Sequence, residues 1–339
     1  MARSIAIDSF LGAGGTVVDV RSPAEHQQGR IPGAVNLPLF TDAERAEVGT
    51  LYKQNGRQPS VQRGLELVGP KLALLGEQLR QLAAASDGPL RLHCWRGGMR
   101  SGSMAWLAET LDLEVVLLEG GYKRFRHWVL ERFEQPWPIR LLGGGTGSGK
   151  TDVLLALDQL GGCMVDLEGL AHHRGSSFGA LGLPPQPSTE QFENRLALAL
   201  EHQRGRPWLW LEAESAQIGR CRLPKALFEQ MQQAPVVVLE RPRAERVEAL
   251  VAVYGPQGRQ GLLEATERLQ RRLGPQRTSA ALAMIHSGDL AGACGVILDY
   301  YDRCYNHELS QRPAPLANLP VGGLDARSVA EQLLRLEAA

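Results

Sequence analysis

A cysteine followed by a glycine-containing turn is the first group of residues whose types and spacing indicate chemistry. The segment reads Leu90-Arg-Leu-His-Cys94-Trp-Arg96-Gly97-Gly98-Met-Arg100-Ser101. A thiolate inside a curl of backbone N–H groups at a helix N-terminus has a lowered pKa, and the same donors bind a tetrahedral oxyanion. The two glycines allow the curl, and Arg100 can add a charge-assisted hydrogen bond. We predict that Cys94 is a catalytic nucleophile with an anion loop of Arg96, Gly97, Gly98 and Arg100, in preference to a buried structural cysteine.

A second glycine-rich segment satisfies the pattern G-x-x-x-x-G-K-[ST]. It reads Leu141-Leu-Gly-Gly144-Gly-Thr-Gly147-Ser-Gly149-Lys150-Thr151, after an apolar run and before a helical pattern. Backbone N–H groups of such a loop bind a diphosphate, the lysine reaches the terminal phosphates, and the hydroxyl suits Mg²⁺ where a metal is used. We predict diphosphate binding by Gly144, Gly147, Gly149, Lys150 and Thr151. A glycine-rich turn without a ligand is the alternative, and the motif does not identify the organic group on the diphosphate.

Polar residues follow two later apolar runs. Asp166, His172 and Arg174 come after one run, and Glu212 and Glu214 end another. These five are predicted second-site residues, where a carboxylate could orient Mg²⁺ or a water molecule. For Glu214, a solvated strand end is an equal alternative.

Basic and aromatic residues supply candidates for RNA contact. The basic clusters are Arg220, Arg222 and Lys225, and then Arg241, Arg243 and Arg246. The aromatic candidates are Tyr300, Tyr301 and Tyr305. The alternative for the charges is a solvated face, and for the tyrosines a place in the core.

The elements that must position these residues alternate between strand and helix patterns, which predicts an α/β protein. The predicted strands cover 16–20, 90–94, 114–118, 139–143, 163–167, 208–212 and 235–240. The predicted helices cover 22–28, 70–86, 101–110, 150–160, 188–203 and 324–336.

Two prolines around Trp137 break any helix and predict a domain joint. We expect a first domain over 1–133 and a linker over 134–138. A P-loop α/β domain with later helices then covers 139–312, and a Pro-rich segment with a C-terminal helix covers 313–339.

Composition excludes several classes of protein. Lys+Arg and Asp+Glu number 37 each, so contact with nucleic acid has to come from a local basic patch. Five scattered cysteines without a C-x-x-C pair indicate neither a disulfide framework nor a metal site. No apolar run approaches the ~20 residues of a membrane span, and early charges interrupt any signal peptide. We expect a soluble, cytoplasmic protein with no membrane partner.

Two upstream segments connect the cysteine loop to a known family. They read Val17-Val-Asp19-Val-Arg21-Ser-Pro-Ala-Glu25-His and Gly29-Arg30-Ile-Pro32-Gly33-Ala34-Val-Asn36-Leu-Pro38. With Cys94 they resemble the rhodanese domain, whose cysteine carries sulfur or its selenium analogue. The Cys-x5-Arg loop is longer than that of simple sulfurtransferases and resembles that of dual-specificity phosphatases, which favours a phosphorus-bearing donor.

The pairing of this domain with a P-loop domain, together with segments 166–179, 212–219 and 298–305, resembles the tRNA 2-selenouridine synthase family. The resemblance implies replacement of sulfur by selenium at C2 of 2-thiouridine at the wobble position, in tRNAs for Lys, Glu and Gln. It also implies selenophosphate and geranyl diphosphate as co-substrates, no tightly bound cofactor, an S-geranyl intermediate, and a selenophosphate-supplying enzyme as a partner.

That chemistry gives each loop a task. Alkylation turns the thiocarbonyl sulfur into a leaving group, so the P-loop would bind geranyl diphosphate and Lys150 would stabilise the departing pyrophosphate. Selenium would then pass from selenophosphate to Cys94 as a Cys–S–Se species, or attack directly while held by residues 94–100, and displace geranylthiol. The wobble base lies in the single-stranded anticodon loop, where it can be splayed out.

Two other classes remain open. The chain could join a Cys-x5-Arg phosphatase to a nucleotide-dependent kinase, for which phosphate release would be the sign. It could also join a sulfur relay to an ATPase that activates tRNA for thiolation, for which ATP dependence would be the sign. A pure binding module fits least, because both loops look intact.

Overall fold

The structure is a computed structural model that describes residues 2–310 and 317–338. The chain divides into two compact units, Met1–Arg132 and Phe133–Ala339. This division lies just before the predicted linker, and the helix that crosses it ends at Glu134. Each unit has its own parallel sheet, which confirms the predicted α/β class. Among the described residues, no helix has the length and apolar character needed to cross a bilayer.

The first unit is a five-stranded parallel sheet with helices between the strands. Its strands are β1 (Arg3–Ile5), β2 (Val17–Asp19), β3 (Val35–Asn36), β4 (Leu90–His93) and β5 (Val115–Leu118). Its helices are α1 (Ile7–Gly12), α2 (Pro23–Gln28), α3 (Asp42–Asn55), α4 (Arg57–Val68), α5 (Leu72–Ala84), α6 (Met99–Thr110) and α7 (Gly121–Glu134). The strand order is β1-β5-β4-β2-β3, so β4 lies in the centre.

The sheet of the first unit is covered by apolar side chains. Leu90 and Leu92 of β4 are fully buried, and Met104 and Ala108 of α6 pack in the same cluster. Helices α3 and α4 do not appear among the helices predicted from the pattern. A capping box starts α3, in which Thr41 and Glu44 exchange side-chain hydrogen bonds with each other's backbone N–H.

The second unit is also built on a five-stranded parallel sheet. Its strands are β6 (Ile139–Gly144), β7 (Met164–Val165), β8 (Leu209–Glu212), β9 (Gln217–Ile218), β10 (Cys221–Arg222), β11 (Val236–Glu240) and β12 (Ala317–Pro320). The sheet order is β12-β11-β6-β8-β7, and β9 and β10 form a separate antiparallel pair. The central strand β6 therefore leads into the P-loop.

Ten helices complete the described part of the second unit. They are α8 (Lys150–Gln159), α9 (Leu167–Ala171), α10 (Thr189–His202), α11 (Lys225–Gln233), α12 (Arg243–Tyr254), α13 (Arg259–Arg268), α14 (Gln270–Leu273), α15 (Pro275–Ser287), α16 (Leu290–Ser310) and α17 (Ala326–Ala338). The strand predicted over 163–167 is shorter than expected. The Asp166 carboxylate accepts a hydrogen bond from Gly169 N at 2.7 Å and so begins α9.

The segment that ends the chain belongs to the second unit. Strand β12 pairs in parallel with β11, and Val329 and Leu333 of α17 are fully buried beside Val153 and Leu157 of α8. The structure has a helix, α17, where the sequence predicts one over 324–336. It also has strand β12, which the proline-rich sequence did not lead us to predict. The predicted Pro-rich stretch over 313–316 lies outside the described residues.

Helices α13 to α16 form a separate apolar cluster in the second unit. Leu262, Ala281, Ile285 and Ile297 are buried there, and the partly buried Tyr300 and Tyr301 pack against them. These two tyrosines therefore belong to a helical core, which was the alternative to base stacking.

Candidate functional site

Cys94 lies directly after β4, where the carboxyl ends of β2 and β5 flank it in the sheet. Helix α6 begins five residues later, and its N-cap is Gly98. Parallel strands followed by helix N-termini concentrate backbone donors at this edge of a sheet. The sulfur is held there almost out of solvent, since Cys94 is 3% exposed.

Hydrogen bonds to the sulfur favour the thiolate form of Cys94 over the thiol. Burial raises the pKa of Cys94, but the Ser101 hydroxyl and the backbone N–H groups of Ser101, Arg96 and Gly98 outweigh it and hold the pKa below its usual value. The Ser101 hydroxyl donates to Sγ at 3.2 Å. The geometry therefore suits a nucleophile surrounded by anion-binding donors.

A turn with two consecutive glycines follows β5 and packs against the Cys94 loop. Gly120 and Gly121 both have left-handed backbones, with φ of 71° and 61°. A Cβ on Gly121 would overlap Gly97 N and Cys94 O. Because the next residue also donates its backbone N–H to Cys94 O at 2.8 Å, the turn sets the loop's position.

The Asp-Val-Arg motif forms a buried ion pair beside the loop. Arg21 Nη2 and Asp19 Oδ2 are 2.6 Å apart, and both side chains are fully or almost fully buried. The Arg21 guanidinium also lies 3.7 Å from the ring centroid of Tyr122, the residue after Gly121. Both charges are satisfied by each other, and removing either partner would leave the other buried and uncompensated. We therefore interpret the pair as structural support for the cysteine loop and not as a ligand-binding group.

His93 is packed in the core, the role that strand alternation favours. Its ring is fully buried and stacks on Tyr122 with centroids 6.1 Å apart. Burial lowers the pKa of His93 to about 4. Nδ1 is 3.8 Å from Asp19 Oδ1, and the charge of that carboxylate partly opposes the effect of burial.

The two arginines of the predicted anion loop have different surroundings. Arg100 is not directed at a free anion site, because its Nη1 lies 2.6 Å from Oε2 of Glu25 on α2. Arg96 is exposed at the surface of the loop. Gly97 adopts φ of 65°, as a curl of the backbone requires. The donors that contact the sulfur are thus backbone groups and Ser101, and Arg100 anchors the loop to α2.

The P-loop follows β6 and ends in α8. Gly149, the N-cap of α8, has a left-handed backbone with φ of 83°. Lys150 Nζ donates to Gly144 O at 3.0 Å, so the ammonium group lies across the loop. The Ser148 hydroxyl is buried within the loop and has no hydrogen-bond partner in the described part of the chain. Such a loop offers donors to phosphate oxygens.

Two arginines from the predicted basic clusters hold the P-loop in place. Arg241 Nε donates to Ser148 O at 3.1 Å. Arg246 donates to Thr146 O at 3.2 Å and forms a bidentate pair with Asp302, with both distances 2.7 Å. Both side chains are therefore engaged in holding the loop.

The predicted diphosphate residues open into a cleft of about 490 Å³. Asp166, His172, Arg174 and Glu214, all predicted second-site residues, line the same cleft. The backbone of His172 is left-handed, and its Nε2 accepts from Arg195 at 3.1 Å. The structure thus brings four of the five second-site residues to the P-loop.

Glu212, the fifth, lies behind the cleft and is fully buried. Its Oε2 accepts a hydrogen bond from Leu167 N at 3.0 Å, while Oε1 has no partner among the described residues. Burial, followed by the charges of Asp166 and Glu168, raises the pKa of Glu212 well above its usual value. The Glu212 carboxyl thus supports the start of α9, and it is not among the residues that line the cleft.

Sequence reasoning missed residues that complete both sites. Glu168 Oε2 accepts from the Thr151 hydroxyl at 3.1 Å, which makes it the acidic neighbour of the P-loop. Its signal was its place two residues after Asp166. Ser101 could have been found as the hydroxyl after Arg100 in the Cys-x5-Arg-Ser run. Glu25 gave no local signal, because it lies 75 residues before its partner.

Oxygen donors at the P-loop suit Mg²⁺ chemically. Thr151, Asp166 and Glu168 supply hydroxyl and carboxylate oxygens, the ligands this ion takes together with substrate phosphates. Among the described residues, no group of three or more His, Cys, Asp or Glu side chains is arranged to hold a metal by itself. An ion here would need phosphate oxygens to complete its coordination.

The fold and the two loops define a class of protein in which a thiolate-bearing domain precedes a phosphate-binding α/β domain. Two family models match in that order: the rhodanese-like domain over residues 7–127, and the tRNA 2-selenouridine synthase AAA domain over residues 137–319. The chain belongs to the tRNA 2-selenouridine synthase family.

Curated relatives carry that name. A tRNA 2-selenouridine synthase of Marinobacter nauticus is 36% identical over 332 residues, covering 87% of this chain and 89% of the relative. One from Pseudomonas fluorescens is 39% identical and covers 88% of this chain and 90% of its own length. One from Cronobacter sakazakii is 43% identical over 73% of this chain and 66% of its own length.

Removal of the Ser101 hydroxyl is expected to raise the pKa of Cys94. The hydroxyl donates to Sγ and favours the thiolate, so the Ser101→Ala substitution should raise the pKa of Cys94 and slow its alkylation near neutral pH. The measurement is the pH dependence of iodoacetamide alkylation, followed by mass spectrometry of the peptide that contains Cys94. Ser103→Ala, an exposed change on the same helix, is the control. Overlapping profiles for Ser101→Ala and the unchanged protein would contradict the assignment.

The buried carboxyl of Glu212 is expected to make stability fall with rising pH. A folded-state pKa above the unfolded value stabilises the fold at low pH, and this contribution is lost as pH rises through the folded pKa. Glu212→Gln keeps the acceptor and cannot ionise, so its stability relative to the unchanged protein should increase as pH rises from the ordinary carboxyl pKa of the unfolded chain toward the raised pKa of the folded one. Urea unfolding checks this, with exposed Glu240→Gln as the control. A difference independent of pH would refute it.

Proposed function

We propose that this protein replaces the sulfur at C2 of wobble 2-thiouridine by selenium in tRNAs for Lys, Glu and Gln. The P-loop cleft binds geranyl diphosphate, and the Cys94 loop uses selenophosphate. What carries the proposal is the presence in one chain of a donor-rich thiolate loop and a diphosphate loop, in a chain related over most of its length to proteins named tRNA 2-selenouridine synthases.

The first step is alkylation of the thiouridine. The thiocarbonyl sulfur attacks the first carbon of geranyl diphosphate, and a C–S bond forms as the allylic C–O bond breaks. The bonding electron pair leaves on pyrophosphate, and N3 of the base loses its proton to solvent. Backbone donors of the P-loop and the Lys150 ammonium group would stabilise the charge that develops on the leaving group.

Mg²⁺, where it takes part, would be held by Thr151 and Glu168 together with diphosphate oxygens. It would neutralise charge on the leaving pyrophosphate. The same task falls to Lys150, whose ammonium already lies across the loop.

The second step delivers selenium. Selenium in selenophosphate is at the oxidation level of selenide, so a Cys94–S–Se species would need an external oxidant. A balanced route has the Cys94 thiolate attack phosphorus, so that an S–P bond forms, the P–Se bond breaks and selenide leaves. Selenide then attacks C2, the C2–S bond breaks and geranylthiol departs. Water finally cleaves the S–P bond, which releases phosphate and restores the thiolate.

The surroundings of Cys94 support this use of the loop. The same backbone N–H groups and the Ser101 hydroxyl that lower the pKa of the thiol would stabilise it as a leaving group when water attacks phosphorus. The donor is expected to come from a selenophosphate-supplying enzyme, and the tRNA is expected to present its anticodon loop, where the base is accessible without opening a duplex.

The first experiment is mass spectrometry of nucleosides from thiolated tRNA incubated with geranyl diphosphate, with selenophosphate, and with both. S-geranyl-2-thiouridine with the first and 2-selenouridine only with both is the expected pattern. No change in any reaction, with ATP consumed instead, would favour an ATP-dependent modification. Phosphate release without tRNA change would favour the phosphatase alternative.

Lys150→Ala is expected to stop geranylation and to leave selenation of pre-geranylated tRNA intact. Loss of one charge-stabilising donor costs roughly 100-fold or more in rate. The rate of S-geranyl-2-thiouridine formation provides the measurement, and Lys53→Ala, an exposed change on α3, is the control. An unchanged geranylation rate in Lys150→Ala would exclude the P-loop from this step.

Cys94→Ala is expected to give the opposite pattern. Geranylation should proceed, while selenation of pre-geranylated tRNA should be lost, because the nucleophile is absent. Cys163→Ala, which removes another buried thiol, is the control. Loss of geranylation together with intact selenation would reverse the assignment of the two steps.

A further inference from the structure

The loop and the helix that follow Cys94 carry three large apolar side chains that are exposed to solvent. They are Trp95, Met99 and Trp106. Trp95 is 37% exposed and Trp106 is 58% exposed, whereas the other tryptophans of the described chain are buried or half-buried. Apolar side chains that are grouped in this way at the surface indicate a contact site, and here the group adjoins a nucleophile.

Met99 and Trp106 lie on one face of α6, because residues seven apart in a helix are separated by about two turns. Gly102 and Ser103 lie between them on that face, and Ser103 is exposed. A Cβ on Gly102 would meet no atom within 4 Å. The face between the two apolar side chains therefore carries only small residues.

Contacts within the first unit hold the Trp95 ring beside the cysteine loop. Its centroid lies 5.7 Å from that of the buried Tyr122 ring, and the guanidinium carbon of Arg21 is 6.0 Å from it. Lys123 N donates to Trp95 O at 2.9 Å, which fixes the backbone as well. A ring that is partly packed and partly exposed loses little conformational freedom when a ligand stacks on it.

Two exposed cations adjoin this ring. Arg96 is the next residue of the loop, and Lys123 contacts the backbone of Trp95. Single-stranded RNA binds to such a combination, because its bases stack on aromatic rings and its phosphates pair with cations. Charged residues are depleted from the cores of protein–protein interfaces, so the two cations favour RNA over a second protein as the partner.

We infer that the exposed residues around the Cys94 loop form one surface, the rim surface, which binds single-stranded RNA with a base stacked on Trp95. The rim surface comprises Trp95, Arg96, Met99, Trp106 and Lys123. The inference rests on the proposed function and adds to it the surface that places the base under modification beside Cys94. Stacking there keeps C2 of the base close to the point where selenide is released, so that selenide attacks before it escapes to solvent.

The test is binding of a fluorescein-labelled anticodon stem-loop RNA containing 2-thiouridine to the full-length protein, measured by fluorescence anisotropy. Trp95→Ala should weaken binding about 5-fold or more, and Trp95→Phe should restore most of the affinity, because phenylalanine keeps a face for stacking. Tyr52→Ala, which removes an exposed aromatic ring from α3, is the matched control and should leave the affinity unchanged. Equal affinities of Trp95→Ala and the unchanged protein would overturn the inference.

Lys123→Ala tests the contact with phosphate. The slope of the logarithm of the binding constant against the logarithm of the salt concentration should become shallower by about 0.7, the value for one phosphate of a single strand. Lys53→Ala, an exposed change on α3, should keep the slope of the unchanged protein. The same slope in Lys123→Ala and the unchanged protein would overturn the place of Lys123 in the rim surface.

A second aromatic variant decides the matter if Trp95→Ala disturbs the loop, which a shifted pH profile of Cys94 alkylation would reveal. Trp106 lies outside the loop, and Trp106→Ala should weaken RNA binding by a similar factor while the alkylation profile stays unchanged. A changed oligomeric state with unchanged RNA affinity would identify a protein interface and overturn the inference. Failure of the proposed function looks different, because the RNA would still bind in a manner that depends on Trp95, while no 2-selenouridine would form.

Discussion

Strands that run in parallel bring their carboxyl ends to one edge of a sheet, and the helices that follow start there with unpaired backbone N–H groups. Both units of this protein use that constraint. In the first unit the donors surround a sulfur, and in the second the P-loop leads into the N-terminus of α8. Converging backbone N–H groups at such an edge stabilise a thiolate and can equally stabilise a phosphate oxygen.

The supporting groups differ between the two edges. Below Cys94, the Asp19–Arg21 pair and the Tyr122 ring fix the turn after β5, and glycines permit backbone contacts too close for a side chain. Around the P-loop, Arg241 and Arg246 hold the carbonyl oxygens of Ser148 and Thr146. Both carbonyl oxygens thus have a charged donor from outside the loop's own sequence.

Features that depend on residues close together in the sequence could be predicted from the sequence alone. The alternation of elements, the cysteine loop and the P-loop are local patterns, and the fold class they predict is confirmed. Contacts between distant residues could not be predicted in this way. The engagement of Arg100 by Glu25 and of Arg246 by Asp302 depends on how separate elements pack. The burial of Glu212 depends likewise on α9 starting at once after a two-residue strand.

The order of strands has a consequence for how the protein is made. Strand β12 is sequentially the last strand yet pairs with β11, the neighbour of β6, and α17 packs on α8, the helix that the P-loop begins. During synthesis from the N-terminus, the first unit can assemble while later residues are still being added. The sheet beneath the P-loop stays incomplete until residues 317–338 have left the ribosome. The sheet that carries the P-loop is therefore completed only after all the residues of the cysteine loop have been synthesised.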